Sequence, residues 1–120
     1  MTVTDAAVDI LLKRGLNRVS PDEDKYTFRR DVRHRMPIEY VYTHEELKKL
    51  IGEMTCPVLI VKAKRGNFYE PEEVSRDILE VYERNPKFKY VEVEGLHHVH
   101  LNEPEVVAPH ILGFLKEHHL

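Results

Sequence analysis

Apolar residues recur along this chain in short groups of differing spacing, and the spacing predicts what each group folds into. In "TDAAVDILLKR", residues 4–14, Ala7, Ile10 and Leu11, with Val8 beside them, fall on one helical stripe that Gly15 stops. From 16 to 42 no period is sustained, and Pro21, Pro37 and dense charge predict irregular chain. "THEELKKLIGEM" then carries a capping box, Thr43 with Glu46, and an apolar stripe of Leu47, Leu50 and Ile51 ending near Gly52. "CPVLIVKA", 56–63, is an almost unbroken aliphatic run, too short for a typical helix and rich in β-branched residues. It predicts a strand buried on both faces.

A charged loop, "KRGNFYEPEE", leads to a helix opened by Pro71 and running to about 84. Val74, Ile78, Leu79 (or Val81) and Tyr82 face inward, and Asn85-Pro86 closes it. "FKYVEVE", 88–94, alternates as a half-exposed strand does. Pro104 starts a last helix with Val107, Ile111, Phe114 and Leu115 as its apolar face. From 43 onward the order is helix, strand, helix, strand, helix, the mark of a parallel sheet covered by helices. Ligands in such sheets sit at the carboxyl ends of the strands, here the loops 64–70 and 95–100.

Composition narrows the class. The 120 residues, 42% apolar and 32% charged, suit an ordinary folded chain with one modest core, here split into an amino-terminal segment, 1–42, and an α/β part, 43–120. With a net charge of −3 and basic residues scattered except for "RRDVRHR", itself interrupted by Asp31, no nucleic-acid partner is expected; the run reads as a solvated or cap-covering face. No apolar run approaches the roughly 20 residues of a membrane span, and "MTVTDAAVDILLKRG" has no basic leader before its apolar part. The one cysteine, Cys56, can form no internal disulfide, which suits a reducing, cytoplasmic setting, with the peroxisome left open; it reads as a small buried apolar side chain.

The candidate chemistry is concentrated in "EGLHHVHLNEPE", 94–105, with histidines at 97, 98 and 100. Three close histidines could hold zinc or copper. Yet His97 and His98 are adjacent and cannot easily face one ion, and His110, His118 and His119 lie on the last helix or in the tail. No metal and no cofactor are expected; a histidine-based metal module is the weaker alternative.

The order strand, G-x-H-x-x-H-L-x-x-P-E, helix, carried by Gly95, His97, His100, Leu101, Pro104, Glu105 and Val106 and ending at Phe114-Leu115, resembles the last active-site loop of the α/β-hydrolase fold. "CPVLIVKA" and "FKYVEVEG" look like its last two strands. "AAVDILLKRG" with "YTFRRDVRHR", including F-x-R-D-x-R from Phe28 to Arg33, resembles the cap of its serine hydrolase-like branch. The resemblance covers nearly the whole chain. It implies the C-terminal portion of that fold: two parallel strands with flanking helices after a cap-like helical segment.

By the same resemblance His97 is the catalytic general base, His98 and His100 are its neighbours, and His100 packs under the loop. The parent would hydrolyse an ester, thioester or amide of a small apolar substrate. A loop above a rigid sheet is a sound place for a base that works near neutral pH.

The sequence departs from that family where the nucleophile belongs. Its two serines, in "RVSPD" and "EVSRD", stand on no G-x-S-x-G turn, and Cys56 precedes a strand instead of following one. No nucleophile and no oxyanion-hole loop are expected in this chain, so alone it should be inactive. The acid is open: Glu70 is the nearest carboxylate after the first strand, where the family places G-x-x-D, and an earlier strand is the other source. Two strands leave an open edge, which predicts pairing with an N-terminal half or self-association. A non-catalytic remnant that binds a partner through that edge is the main alternative, and an unrelated small α/β domain with a polar loop is the plainest one.

Overall fold

Thr4 accepts a hydrogen bond from the Ala7 amide at 3.3 Å and so caps α1, Asp5–Gly15. In this computed structural model, which describes residues 3–31, 42–66 and 71–120, the chain divides into two compact units, Val3–Val41 and Tyr42–Leu120.

In the first unit residues 16–28 of the expected irregular stretch form a hairpin instead, while 32–41, with Pro37 and most of the basic run, lie outside the described residues. Strand β1, Leu16–Ser20, pairs antiparallel with β2, Glu23–Phe28, placing Leu16 opposite Phe28 and Arg18 opposite Tyr26. Pro21 and Asp22 form the connecting turn, where Ser20 Oγ accepts from the Asp22 amide. The proline that marked broken chain is thus a turn residue. The strands escaped the pattern because β2 is exposed along its whole length, so no buried apolar face marks it. The helical stripe is also less buried than its spacing predicts: Ala7 is fully buried, whereas Ile10 and Leu11 remain about half exposed, at 50% and 46%.

The second unit alternates helix and strand. Its elements are α2, His44–Gly52; β3, Val58–Arg65; α3, Glu72–Tyr82; β4, Phe88–Leu96; the short α4, Val99–Asn102; and α5, Pro104–Glu117. The Thr43–Glu46 capping box is formed in full. Strands β3 and β4 pair in parallel from Val58 opposite Phe88 to Ala63 opposite Val93. The fold is mixed α/β, a two-stranded parallel sheet with flanking helices.

Alternation divides the sheet's faces. Val61, Ala63, Val91 and Val93 pack with Val99, Val106 and Val107 of α4 and α5 to make the core. Ile60, Lys62 and Tyr90 line an open cavity of about 610 Å³ with Leu47 of α2 and Val74, Ile78 and Tyr82 of α3. Contrary to expectation, β3 is half-buried and not enclosed on both faces, because β4 is its one strand neighbour among the described residues. On α5, Val107 and Phe114 are buried but Ile111 is exposed; on α3, Val81 is the buried member of the predicted pair.

Asn85 ties the starts of the two strands together. Its side-chain amide donates to the carbonyls of Met54 and Cys56, at 3.2 and 2.9 Å, while its oxygen accepts from the Lys87 amide. Replacing Asn85 by Ala strands these groups, and we expect a loss of about 1–2 kcal/mol in urea unfolding. An unchanged unfolding midpoint would show that water replaces the clamp.

Candidate functional site

The histidine loop stands at the carboxyl end of β4, and one glycine makes its turn possible. Gly95 has φ +136°, a region closed to most side chains, and a Cβ there would lie 2.5 Å from Val99 Cγ2. Val99 consequently reaches beneath the loop into the core with Val93 and Val107. It, and not His100 as expected, is the residue packed under the loop; His100 is exposed. The physical reason is plain: the buried place is apolar, and an imidazole there would lose its hydrogen bonds.

His97 is exposed, and His98 is half-buried. Their rings meet edge to face with centroids 4.8 Å apart, and His98 meets His100 similarly at 6.0 Å. His98 Nδ1 is buried without a hydrogen-bond partner. No hydrogen bond or ion pair joins His97 to a carboxylate among the described residues, and Glu70, the candidate acid, lies outside them. Among the described residues no group of three His, Cys, Asp or Glu side chains could hold a metal ion.

Neither serine occupies a strand-to-helix turn. Ser20 ends β1, and Ser75 is inside α3. Cys56 is exposed, not buried as its place before an apolar strand suggested. The aliphatic run proper begins two residues later, at Val58, and leaves the thiol outside.

A second histidine has a carboxylate partner that sequence reasoning missed. His44 Nε2 lies 2.6 Å from Asp77 Oδ2, and Lys48 Nζ is 2.9 Å from the same oxygen. The His44 bond first, then that of Lys48, holds the Asp77 carboxyl below its usual range. The pair spans 33 positions, from the first turn of α2 to α3, so no local spacing could reveal it. It links two helices; both partners are about two-fifths exposed and far in sequence from the 97–100 loop.

Searched against known families and proteins, the chain matches no family model and no solved structure. It is 36% identical over 117 residues to a probable serine hydrolase of Drosophila melanogaster, a match covering 97% of this chain and 35% of that protein. It is 31% identical to a serine hydrolase-like protein of Danio rerio, covering 95% of this chain and 35% of that one. The chain therefore spans about a third of the length of these curated relatives.

Two predictions rest on this geometry. Gly95→Ala should destabilise the fold by about 2–4 kcal/mol, through the Val99 collision and the positive φ together; urea denaturation measures it, and a loss below half a kcal/mol would contradict the close approach. A carboxylate with a depressed folded pKa stabilises the fold above its unfolded value, and the contribution disappears as pH falls through the folded one. Asp77→Asn should therefore lower the melting temperature at neutral pH and reduce the acid dependence of stability. Parallel melting curves for the two proteins between neutral and strongly acidic pH would contradict the pairing.

Proposed function

From the kinship of nearly the whole chain with serine hydrolase-like proteins, we propose that it is the C-terminal part of an α/β-hydrolase of that branch, carrying the triad histidine. The single observation that carries the reading is His97 itself. It is an exposed imidazole on the loop that leaves the carboxyl end of a parallel strand, immediately before the closing helices α4 and α5. That is where an open α/β sheet presents groups to a ligand.

In the complete protein His97 takes the proton from a serine hydroxyl as its oxygen attacks the carbonyl carbon of an ester, thioester or amide, then delivers it to the leaving group. Water, deprotonated the same way, releases the acid and frees the serine. The serine and the oxyanion-hole amides belong to the part of the protein that this chain does not span. The acid that orients His97 is Glu70 or a carboxylate from that other part. The substrate is small and apolar, the chemistry uses no cofactor, and the setting is cytoplasmic. Among the described residues no helix is long and apolar enough to cross a membrane.

A second reading is favoured by one observation. Strand β3 pairs with β4 alone among the described residues, so its outer edge offers backbone donors and acceptors to another strand. On that reading the chain is a non-catalytic remnant that binds a partner, an N-terminal half or a second copy, through the edge.

The readings separate in one assay. This chain alone should not turn over p-nitrophenyl acetate or butyrate. Joined to the amino-terminal part that its relatives possess, it should gain esterase activity, and His97→Ala should then lower kcat roughly a million-fold. Activity that survives His97→Ala but not His98→Ala would move the catalytic role by one position. A joined protein that folds and never turns over ester would favour the remnant.

A further inference from the structure

We propose that His98 is a positioning residue whose ring fixes the orientation of the His97 imidazole. This rests on the reading of His97 as the general base and extends it to a side chain that need not touch substrate.

The argument starts from the three rings. His98 is half-buried between two exposed histidines, with edge-to-face contacts to His97 at 4.8 Å and to His100 at 6.0 Å. Both separations lie in or near the range where such aromatic contacts are favourable. Its polar capacity is largely unused. Nδ1 is buried with no hydrogen-bond partner, and although His98 is the N-cap residue of α4, its side chain makes no capping bond. Burying a ring nitrogen without a partner opposes folding. A side chain held on those terms is held for the shape and faces of its ring.

The backbone beneath it is anchored, because Gly95 lets Val99 pack into the core one residue further on. His97, being exposed, has no such packing of its own. An unrestrained surface imidazole spreads over several rotamers, and a general base spread over rotamers spends little time aimed at its proton. Among the described residues the His98 ring is the contact that narrows the choice, beside whatever the acid contributes.

The experiment has two arms. In this 120-residue chain, NMR should show nuclear Overhauser contacts between the His97 and His98 rings, and three-bond couplings at His97 should report one dominant χ1 rotamer. His98→Ala should average those couplings, and His98→Phe, which keeps an aromatic edge, should retain them. Should His98→Ala fail to fold, His98→Leu fills the volume without an edge and takes its place. Absence of the ring contacts in the parent, or unchanged couplings in His98→Ala, overturns the proposal.

In the protein completed with its amino-terminal part, His98→Ala should lower kcat about 10- to 100-fold with KM within two-fold, and His98→Phe should restore most of the loss. An inactive His97→Ala beside a fully active His98→Ala overturns the positioning role and leaves the general base standing. An active His97→Ala overturns the general base instead, and the couplings then decide the ring contact by themselves. Equal loss in His98→Ala and His98→Phe would assign the effect to a nitrogen and overturn the role of the ring.

Discussion

Everything in the second unit depends on a parallel pairing, and parallel strands impose a constraint that a hairpin does not. Their connection must cross from one end of the sheet to the other, and each face must be covered by something other than the strands. Here α3 makes the crossing, with its residues lining one side of the sheet, while α4 and α5 supply the valines that cover the other. The crossing brings β4 to its carboxyl end pointing the same way as β3. That leaves the histidine loop raised above the sheet edge. The position of His97 follows from the connection as much as from any local contact.

The α/β part of the fold was legible because its signals are strong and local. A capping box on α2, a proline at the start of α3 and of α5, and an aliphatic run bounded by Pro57 place α2, β3, α3 and α5 to within a few residues. The hairpin was not legible, since it is stabilised by a turn and a ladder and not by a buried face. Tyr26 and Phe28 alternate around Thr27, but two apolar positions among charged ones are too few to mark β2 as a strand. Leu47, Ile10 and Ile111 fall at helical spacing and yet remain exposed, which shows that spacing reports what a helix can bury and not what is present to bury it.

The site divides in the same way. The loop that carries His97 could be placed because its residues, Gly95 to Glu105, lie within a dozen positions, and Gly95 has a physical reason to be glycine that the structure supplies. The place of His100 was misjudged because a helical turn after Gly95 rotates Val99, not His100, into the core. The His44–Asp77–Lys48 cluster could not be read at all. It forms only when α2 and α3 lie side by side, and its members belong to two separate helices whose sequences mention nothing of each other.

The charged carboxyl end of the sheet has a consequence for how the chain behaves in concentrated solution. Toward the carboxyl end, Lys62 pairs with Glu92 and Lys64 with Glu94 across the two strands. Hydrogen bonds from Tyr90 and Lys62 to Glu92, and from Lys64 to Glu94, hold both carboxyls below their usual range. Such charges act as gatekeepers against sheet stacking. Toward the amino end, Val58 to Val61 carry no charge of their own, and the charge beside them is Lys89 of β4, which pairs with Glu117 of α5. Acid strong enough to protonate Glu92 and Glu94 would leave Lys62 and Lys64 without counter-charges and change which copies of the chain can approach one another.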